Sequence, residues 1–226
     1  MGPLKKTIFF DAAGTLLHLP RGVGFHYALV ARRHGVEWDE RTLDRAFHLA
    51  WRAMPPPAAS RAPRADDDRG WWRELVGRVL DSVAPNESFD RDAYFAALYR
   101  HFAEPGVWEL YPEVKDVLGE LRRRYQLGIV SNFDGRLRTL LSQFAILDYF
   151  EVFAISSEVG ADKPDPFIFE QALKRAGISA TEAVHAGDDP LDDWQGAAAA
   201  GIRCFQLERP KNSLLDLPEY LKTTWE

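Results

Sequence analysis

The feature that most constrains this chain is a short apolar strand pattern isolated from any partner. Residues 6–11, KTIFFD, read as a buried strand ending on an acid, and AAGT follows as a turn. The next strand pattern, QLGIVSN, begins only at residue 126. From Pro112 onward the chain alternates. EVKDVLGELRRRY reads as a helix, QLGIVSN as a strand, GRLRTLLSQFAIL as a helix and EVFAIS as a strand. PDPFIFEQALKRAGI is a helix closed by Gly177, EAVHAGD a strand, PLDDWQGAAAAGI a helix and RCFQL a strand. Such alternation implies βαβ units on a parallel sheet. A lone short strand buries nothing by itself, so the first one must join that sheet. The predicted fold is α/β: a Rossmann-like parallel core split across residues 1–17 and 108–226.

Residues 18–107 have a different texture. GFHYALVARRHGV, ERTLDRAFHLAWRAM, WWRELVGRVLDSV and DRDAYFAALYRHF each place apolar residues at helical spacing. Asp39 and Asp90 stand where N-caps belong. With no strand pattern between them, these segments predict an inserted helical domain of four-helix-bundle type. One stretch, MPPPAASRAPRADDDRG, carries four prolines and no apolar periodicity, so it reads as a loop. It is long for a compact bundle, which leaves it either disordered or poised over something.

Several function classes drop out. The formal net charge is −6, and the basic residues are scattered or paired with acids, which argues against a nucleic-acid partner. The opening MGPLKKTIFFD runs straight into a strand pattern with no apolar leader, and no stretch is able to span a bilayer. The single Cys204 gives neither an intramolecular disulfide nor a zinc pattern, and the expected setting is the reducing cytoplasm.

Open parallel sheets bind ligands beyond the carboxyl ends of their strands. The polar residues there are Asp11 and Thr15, then Ser131 and Asn132, then Lys163, then Asp188, Asp189, Asp192 and Asp193. Any one alone is an ordinary turn or N-cap residue. Arriving together at successive strand ends, they form a candidate site. Crowded carboxylates repel unless a cation sits among them, and magnesium prefers oxygen ligands. A carboxylate also attacks phosphorus to form an aspartyl-phosphate. A lysine would offset phosphoryl charge, and hydroxyls would bond phosphoryl oxygens.

Four segments, FFDAAGTLL, IVSN, ADKPDP and HAGDDPLDDWQGA, resemble in order and spacing the four motifs of the haloacid dehalogenase superfamily. The inserted helices resemble that family's C1-type cap. The resemblance implies a hydrolase acting on a small phosphorylated substrate, with Mg2+ as cofactor. It makes Asp11 the nucleophile and a metal ligand, and Lys163 the bridge between Asp11 and the phosphoryl oxygens. Thr15, Ser131 and Asn132 would contact substrate. Asp188 would bind the metal directly, Asp193 directly or through water, and Ala13 through its backbone oxygen. Asp189 would assist, and Asp192 would be a solvated helix-start acid.

One position departs from the pattern. Family phosphatases resemble DxDGT, whereas this chain has DAAGT, with Ala13 in place of the acid that protonates the leaving group and then activates water. General acid–base catalysis contributes roughly 10²–10⁴-fold. Phosphonoacetaldehyde hydrolases resemble DxAGT but use a cap lysine, and residues 7–114 contain no lysine. The 2-haloacid dehalogenases resemble DAYGT and expel halide without a proton, but they are metal-free and do not resemble GDDPLDD. A metal-free dehalogenase and a non-catalytic relative that binds a phospho-ligand or partner stand as alternatives. His18, at the entry to the inserted helices, is a candidate substitute for the acid; a hinge or surface histidine is the plainer reading. Arg61 and Arg64 read as solvated loop residues, and His185 as a satisfied core histidine.

Overall fold

The computed structural model describes residues 6–85 and 89–225; the lead-in at residues 1–5 lies outside the described residues. Five strands form one sheet: β1 (Thr7–Phe10), β2 (Gln126–Ser131), β3 (Val152–Ile155), β4 (Ala183–Gly187) and β5 (Arg203–Gln206). Their order is β3-β2-β1-β4-β5, and every pairing is parallel. The isolated strand of the sequence is thus the central one. Its residues Ile8, Phe9 and Phe10 are wholly buried, as a strand covered on both faces requires, so its pattern is a continuous apolar run rather than an alternation. Phe9 stands beside Gly128 of β2, where an added Cβ would come within 2.7 Å of the Phe9 ring.

Among the described residues, ten α-helices accompany the strands. The inserted chain holds α1 (Gly22–Arg33), α2 (Glu40–Ala53), α3 (Arg69–Val83) and α4 (Arg91–His101). The remainder holds α5 (Val114–Leu121), α6 (Arg136–Gln143), α7 (Ser156–Val159), α8 (Pro166–Ala176), α9 (Gly196–Ala199) and α10 (Leu217–Trp225). The caps form as their residue types dictate. Asp39 accepts from Thr42 N–H at 2.8 Å, and Asp90 from Ala93 N–H at 2.9 Å. Gly177 ends α8 in the left-handed region, at φ 71°. The helix predicted over PLDDWQGAAAAGI begins instead as a π-helical turn, Pro190–Gln195. The cause is local. The Asp189 carbonyl accepts from both Asp193 and Trp194 N–H, while its carboxylate takes Leu191 and Asp192 N–H, which widens the first turn.

Packing divides the described chain into two compact units. One comprises Leu19–Pro57 and Asp68–Glu109, and buries its own core around Tyr27, Leu43, Leu75, Leu80, Tyr94 and Leu98. The other comprises the sheet with its helices, the described residues up to His18, and Ala58–Asp67. The proline-rich stretch has no regular structure up to Asp68, yet its residues Ala58–Asp67 pack with the sheet unit rather than with the helices on either side of it in sequence. No described helix is long and apolar enough to cross a membrane.

Candidate active site

Asp11 follows β1 directly. Its N–H bonds the Ala186 carbonyl at 3.0 Å and so extends the strand pairing by one residue, which places the carboxylate at the sheet's carboxyl edge. The chain then turns through Gly14 at φ 91°, where any Cβ would lie 2.3 Å from an Asp188 oxygen. At the end of β4 a Cβ on Gly187 would lie 2.2 Å from Asp193 Cγ. The two glycines therefore make room for Asp188 and Asp193, both from the segment after β4, to close toward Asp11. Thr15 Oγ1 donates to Asp188 Oδ1 at 2.7 Å, tying the first loop to the fourth.

Lys163 is the hub. Its ammonium donates to Asp11 Oδ1 at 2.7 Å and to Asp193 Oδ1 at 2.6 Å, and the residue is buried. Asn132 grips its backbone: Lys163 N–H donates to Asn132 Oδ1 at 2.6 Å, and Asn132 Nδ2 donates to the Lys163 carbonyl at 2.9 Å and to Asp192 Oδ2 at 3.1 Å. Asn132, expected to touch substrate, instead has both ends of its amide committed to protein, and so acts through Lys163. Asp192, expected to be solvated, is half-buried and bonded to Asn132. Asp193 is fixed from three sides, accepting Lys163 and His185 on Oδ1 and Asp189 N–H on Oδ2, the last at 3.0 Å.

Two neighbours have contacts that sequence reasoning does not give them: His185 reads only as a satisfied core histidine, and Arg209 is not singled out. His185 Nε2 lies 2.8 Å from Asp193 Oδ1, so this core histidine orients a site acid. The available signal was its position two residues before Gly187, on the strand face over which Asp193 folds. Arg209, from the loop after β5, donates to the Thr15 carbonyl at 3.2 Å and to Glu113 at 2.6 Å, and covers the Tyr111 ring at 3.5 Å. His18 stacks on that same Tyr111 ring, with centroids 4.6 Å apart. Arg64, expected to be solvated, pairs with Asp162 and has a side chain only 9% exposed.

The electrostatics follow from burial. Asp11, Asp188 and Asp193 offer oxygens within 4.8 Å of one another. Burial raises the Asp11 carboxyl above the ordinary range, with Lys163 opposing. Burial and the Asp11 charge push Asp188 up to about 6. Burial likewise carries Asp192 to about 6. Burial acts the same way on Asp193, but Lys163 and His185 outweigh it and hold that carboxyl well below the usual range. Burial disfavours the Lys163 ammonium, yet Asp11 and Asp193 outweigh it and keep the lysine firmly charged.

A pH dependence follows. Between its unfolded value of 3.8 and its folded value of about 6, Asp188 holds a proton in the folded state that the unfolded chain has released. Its contribution to stability therefore falls as pH rises through that window. Asp193 works oppositely, but below the window. In metal-free protein, Asp188→Asn is expected to make the change of thermal midpoint between about pH 4 and pH 6 less negative than in wild type. Equal slopes in the two proteins would rule this out.

The donor set suits a hard divalent cation. Its ligands are carboxylate oxygens, and three such groups face one lysine, which leaves surplus negative charge in a buried place. Asp11 and Asp188 could hold such an ion, with Asp193 beside them. Ala13 has only its carbonyl to offer, and its side chain is exposed.

The haloacid dehalogenase-like hydrolase family model matches residues 5–201. Haloacid dehalogenase-like hydrolase domain-containing protein 3 of Mus musculus is 34% identical over 205 residues, covering 88% of this chain and 80% of the mouse protein. Phosphoserine phosphatase of Thermus thermophilus is 38% identical over 110 residues, 48% of this chain and 44% of that enzyme. The crystal structure of a HAD phosphatase from Thermococcus onnurineus superposes with a TM-score of 0.67 at 25% identity, covering 96% of this chain and 97% of that one. The match spans the central strand and the acids at its edge alike, and this chain belongs to the haloacid dehalogenase-like hydrolase family.

Proposed function

We propose that this hydrolase is a Mg2+-dependent phosphatase for small phosphorylated substrates, working through a phosphorylated Asp11 and without the usual acid–base residue. The observation that carries the reading is Lys163, fixed between Asp11 and Asp193 beside a third carboxylate, Asp188. That arrangement keeps Asp11 oriented and sets a fixed positive charge where phosphoryl oxygens would gather. The phosphatase names of two similar proteins lend support.

In this reading an Asp11 oxygen attacks phosphorus and the leaving oxygen departs with the bonding pair. Lys163 offsets charge on the phosphoryl group, and the Ser131 hydroxyl donates to one of its oxygens, while Thr15, its one hydroxyl proton given to Asp188, holds that acid in place. Asn132 holds Lys163 in place, and Asp193, braced by His185, holds the ammonium. Asp11 and Asp188, with the Ala13 carbonyl, would hold magnesium, which would supply further charge neutralisation. Water then cleaves the aspartyl-phosphate. Neither proton transfer has help from position 13, so weakly basic leaving groups are favoured.

The test has two parts. Calorimetric titration of magnesium is expected to show binding to wild type and markedly weaker binding to Asp188→Asn; equal affinity would remove Asp188 from the ligand set. Turnover of p-nitrophenyl or acetyl phosphate is expected with magnesium and not after chelation. Ala13 favours a second reading, a 2-haloacid dehalogenase, since halide needs no proton. Release of halide from 2-halo acids that persists in chelator would select it.

A further inference from the structure

We propose that the segment Ala58–Asp67, part of the proline-rich stretch between α2 and α3, is a positioning element for Lys163 and for the loop after Ser131. Its role as a positioner of catalysis rests on the phosphatase reading; its role as a brace of those loops does not.

The segment is bonded to the sheet unit at every few residues. Arg61 N–H donates to the Gly160 carbonyl at 3.0 Å, and Arg64 N–H to the Ser157 carbonyl at 2.8 Å. The Arg64 guanidinium pairs with Asp162, the residue before Lys163. The Asp67 carboxylate accepts Gly135 N–H at 2.9 and 3.0 Å and the Ser157 hydroxyl at 2.6 Å. Ser157 N–H in turn donates to the Phe133 carbonyl at 3.2 Å. Both loops contacted are site loops, since Gly135 lies four residues past Ser131 and Asp162 adjoins Lys163. Asn132 joins the same two loops from the inside by clasping the Lys163 backbone. The segment, the loop after β2 and the loop carrying Lys163 are therefore cross-braced in a closed circuit of bonds.

Two independent observations indicate that this docking is built in. Gly160 has no room for a side chain, because a Cβ would meet the Ala62 carbonyl at 2.0 Å, and a Cβ on Gly135 would come 2.8 Å from Asp67 Oδ2. Arg61 and Asp67 hold left-handed backbone at φ 53° and 52°, a conformation that residues with a side chain seldom adopt and that persists where surroundings over-determine it. Arg64 is thus spent on Asp162 rather than offered to a substrate anion.

The experiment compares wild type with Asp67→Ala, Arg64→Ala and Arg64→Lys. Hydrogen–deuterium exchange is read in peptides covering 131–135 and 161–163, and kcat and KM are read with p-nitrophenyl phosphate and magnesium. Both alanine variants are expected to exchange faster in those two regions and to lose about tenfold in kcat per folded molecule, with KM within about twofold, as misplacement of reacting groups predicts. Arg64→Lys, which keeps the charge on Asp162, is expected to recover most of both. Unchanged exchange in both regions, or raised exchange with kcat per folded molecule intact, would overturn the proposal and leave the segment as packing alone. If wild type itself turns over no phosphate ester, the phosphatase reading fails. Exchange then decides alone: faster in the alanine variants and recovered in Arg64→Lys, the brace stands for whatever chemistry Lys163 serves; otherwise it falls.

Discussion

Replacing Ala13 with aspartate is expected to raise the turnover of alkyl phosphates by up to about 10²–10⁴-fold, the usual worth of general acid–base catalysis. The position is prepared for it. Ala13 stands two residues past Asp11, its backbone is pinned by a bridge to Leu17, and its side chain points into open space rather than into the core. Wild type has nothing at this position to protonate a departing alkoxide, so sugar phosphates should react very slowly. Aryl and acyl phosphates leave as weakly basic anions and should be affected far less. If the reaction runs through a phosphorylated Asp11 as proposed, water must also attack it without a base, so wild type should release a burst of p-nitrophenol before a slow phase, and Ala13→Asp should shorten that phase. The measurement is pre-steady-state and steady-state turnover of one aryl and one alkyl phosphate in both proteins. Fast alkyl-phosphate turnover by wild type, with no gain in Ala13→Asp, would show that another group moves the proton. His18, stacked on Tyr111, would then be the first to replace.

The second large effect concerns stability. Lys163→Met is expected to destabilise metal-free protein by about 3–5 kcal/mol at neutral pH, the usual consequence of removing one partner of a buried ion pair. The lysine side chain is 3% exposed, and those of Asp11 and Asp193 are 9% and 1% exposed. Removing the ammonium leaves these acids beside Asp188 with no lysine among them. The loss should shrink at acidic pH as the carboxyls take up protons, and magnesium should recover part of it by binding the folded state. Urea unfolding with and without magnesium measures both. A free energy of unfolding equal to wild type in chelator would show that the lysine is not what holds the acids together.

Much of this was legible before the structure. A buried parallel strand announces itself by an unbroken apolar run, and its neighbours by alternation with helices, so β1 could be assigned to a sheet whose other strands lie beyond residue 126. Asp11, Lys163, Asp188 and Asp193 were visible for the same reason: strand ends in such sheets converge. What sequence reading missed has a common cause. Ala58–Asp67 lacks periodicity because its partners are largely backbone groups and short polar side chains, those of Gly135, Ser157 and Gly160, and such pairing leaves no hydrophobic pattern. Asn132 looked like a substrate contact because a polar amide at a strand end is ambiguous until its partners are placed; both ends grip Lys163. Arg209 sits nearly two hundred residues from Thr15, a separation across which no local pattern speaks.

The inserted helices are not a cassette. The chain passes between the two units at residues 18–19, 57–58, 67–68 and 109–110, so cutting it at the outer pair of points removes ten residues of the sheet unit together with the helices. A chimera that replaces everything from 19 to 109 with a foreign cap would strip Asp162 of its arginine and Gly135 N–H of its carboxylate, and would remove Ala62 from the place where Gly160 leaves room for it. Transplants that aim to change which substrate this enzyme accepts should therefore carry residues 58–67 across intact. Otherwise a swap meant to alter selectivity will be read as a loss of chemistry.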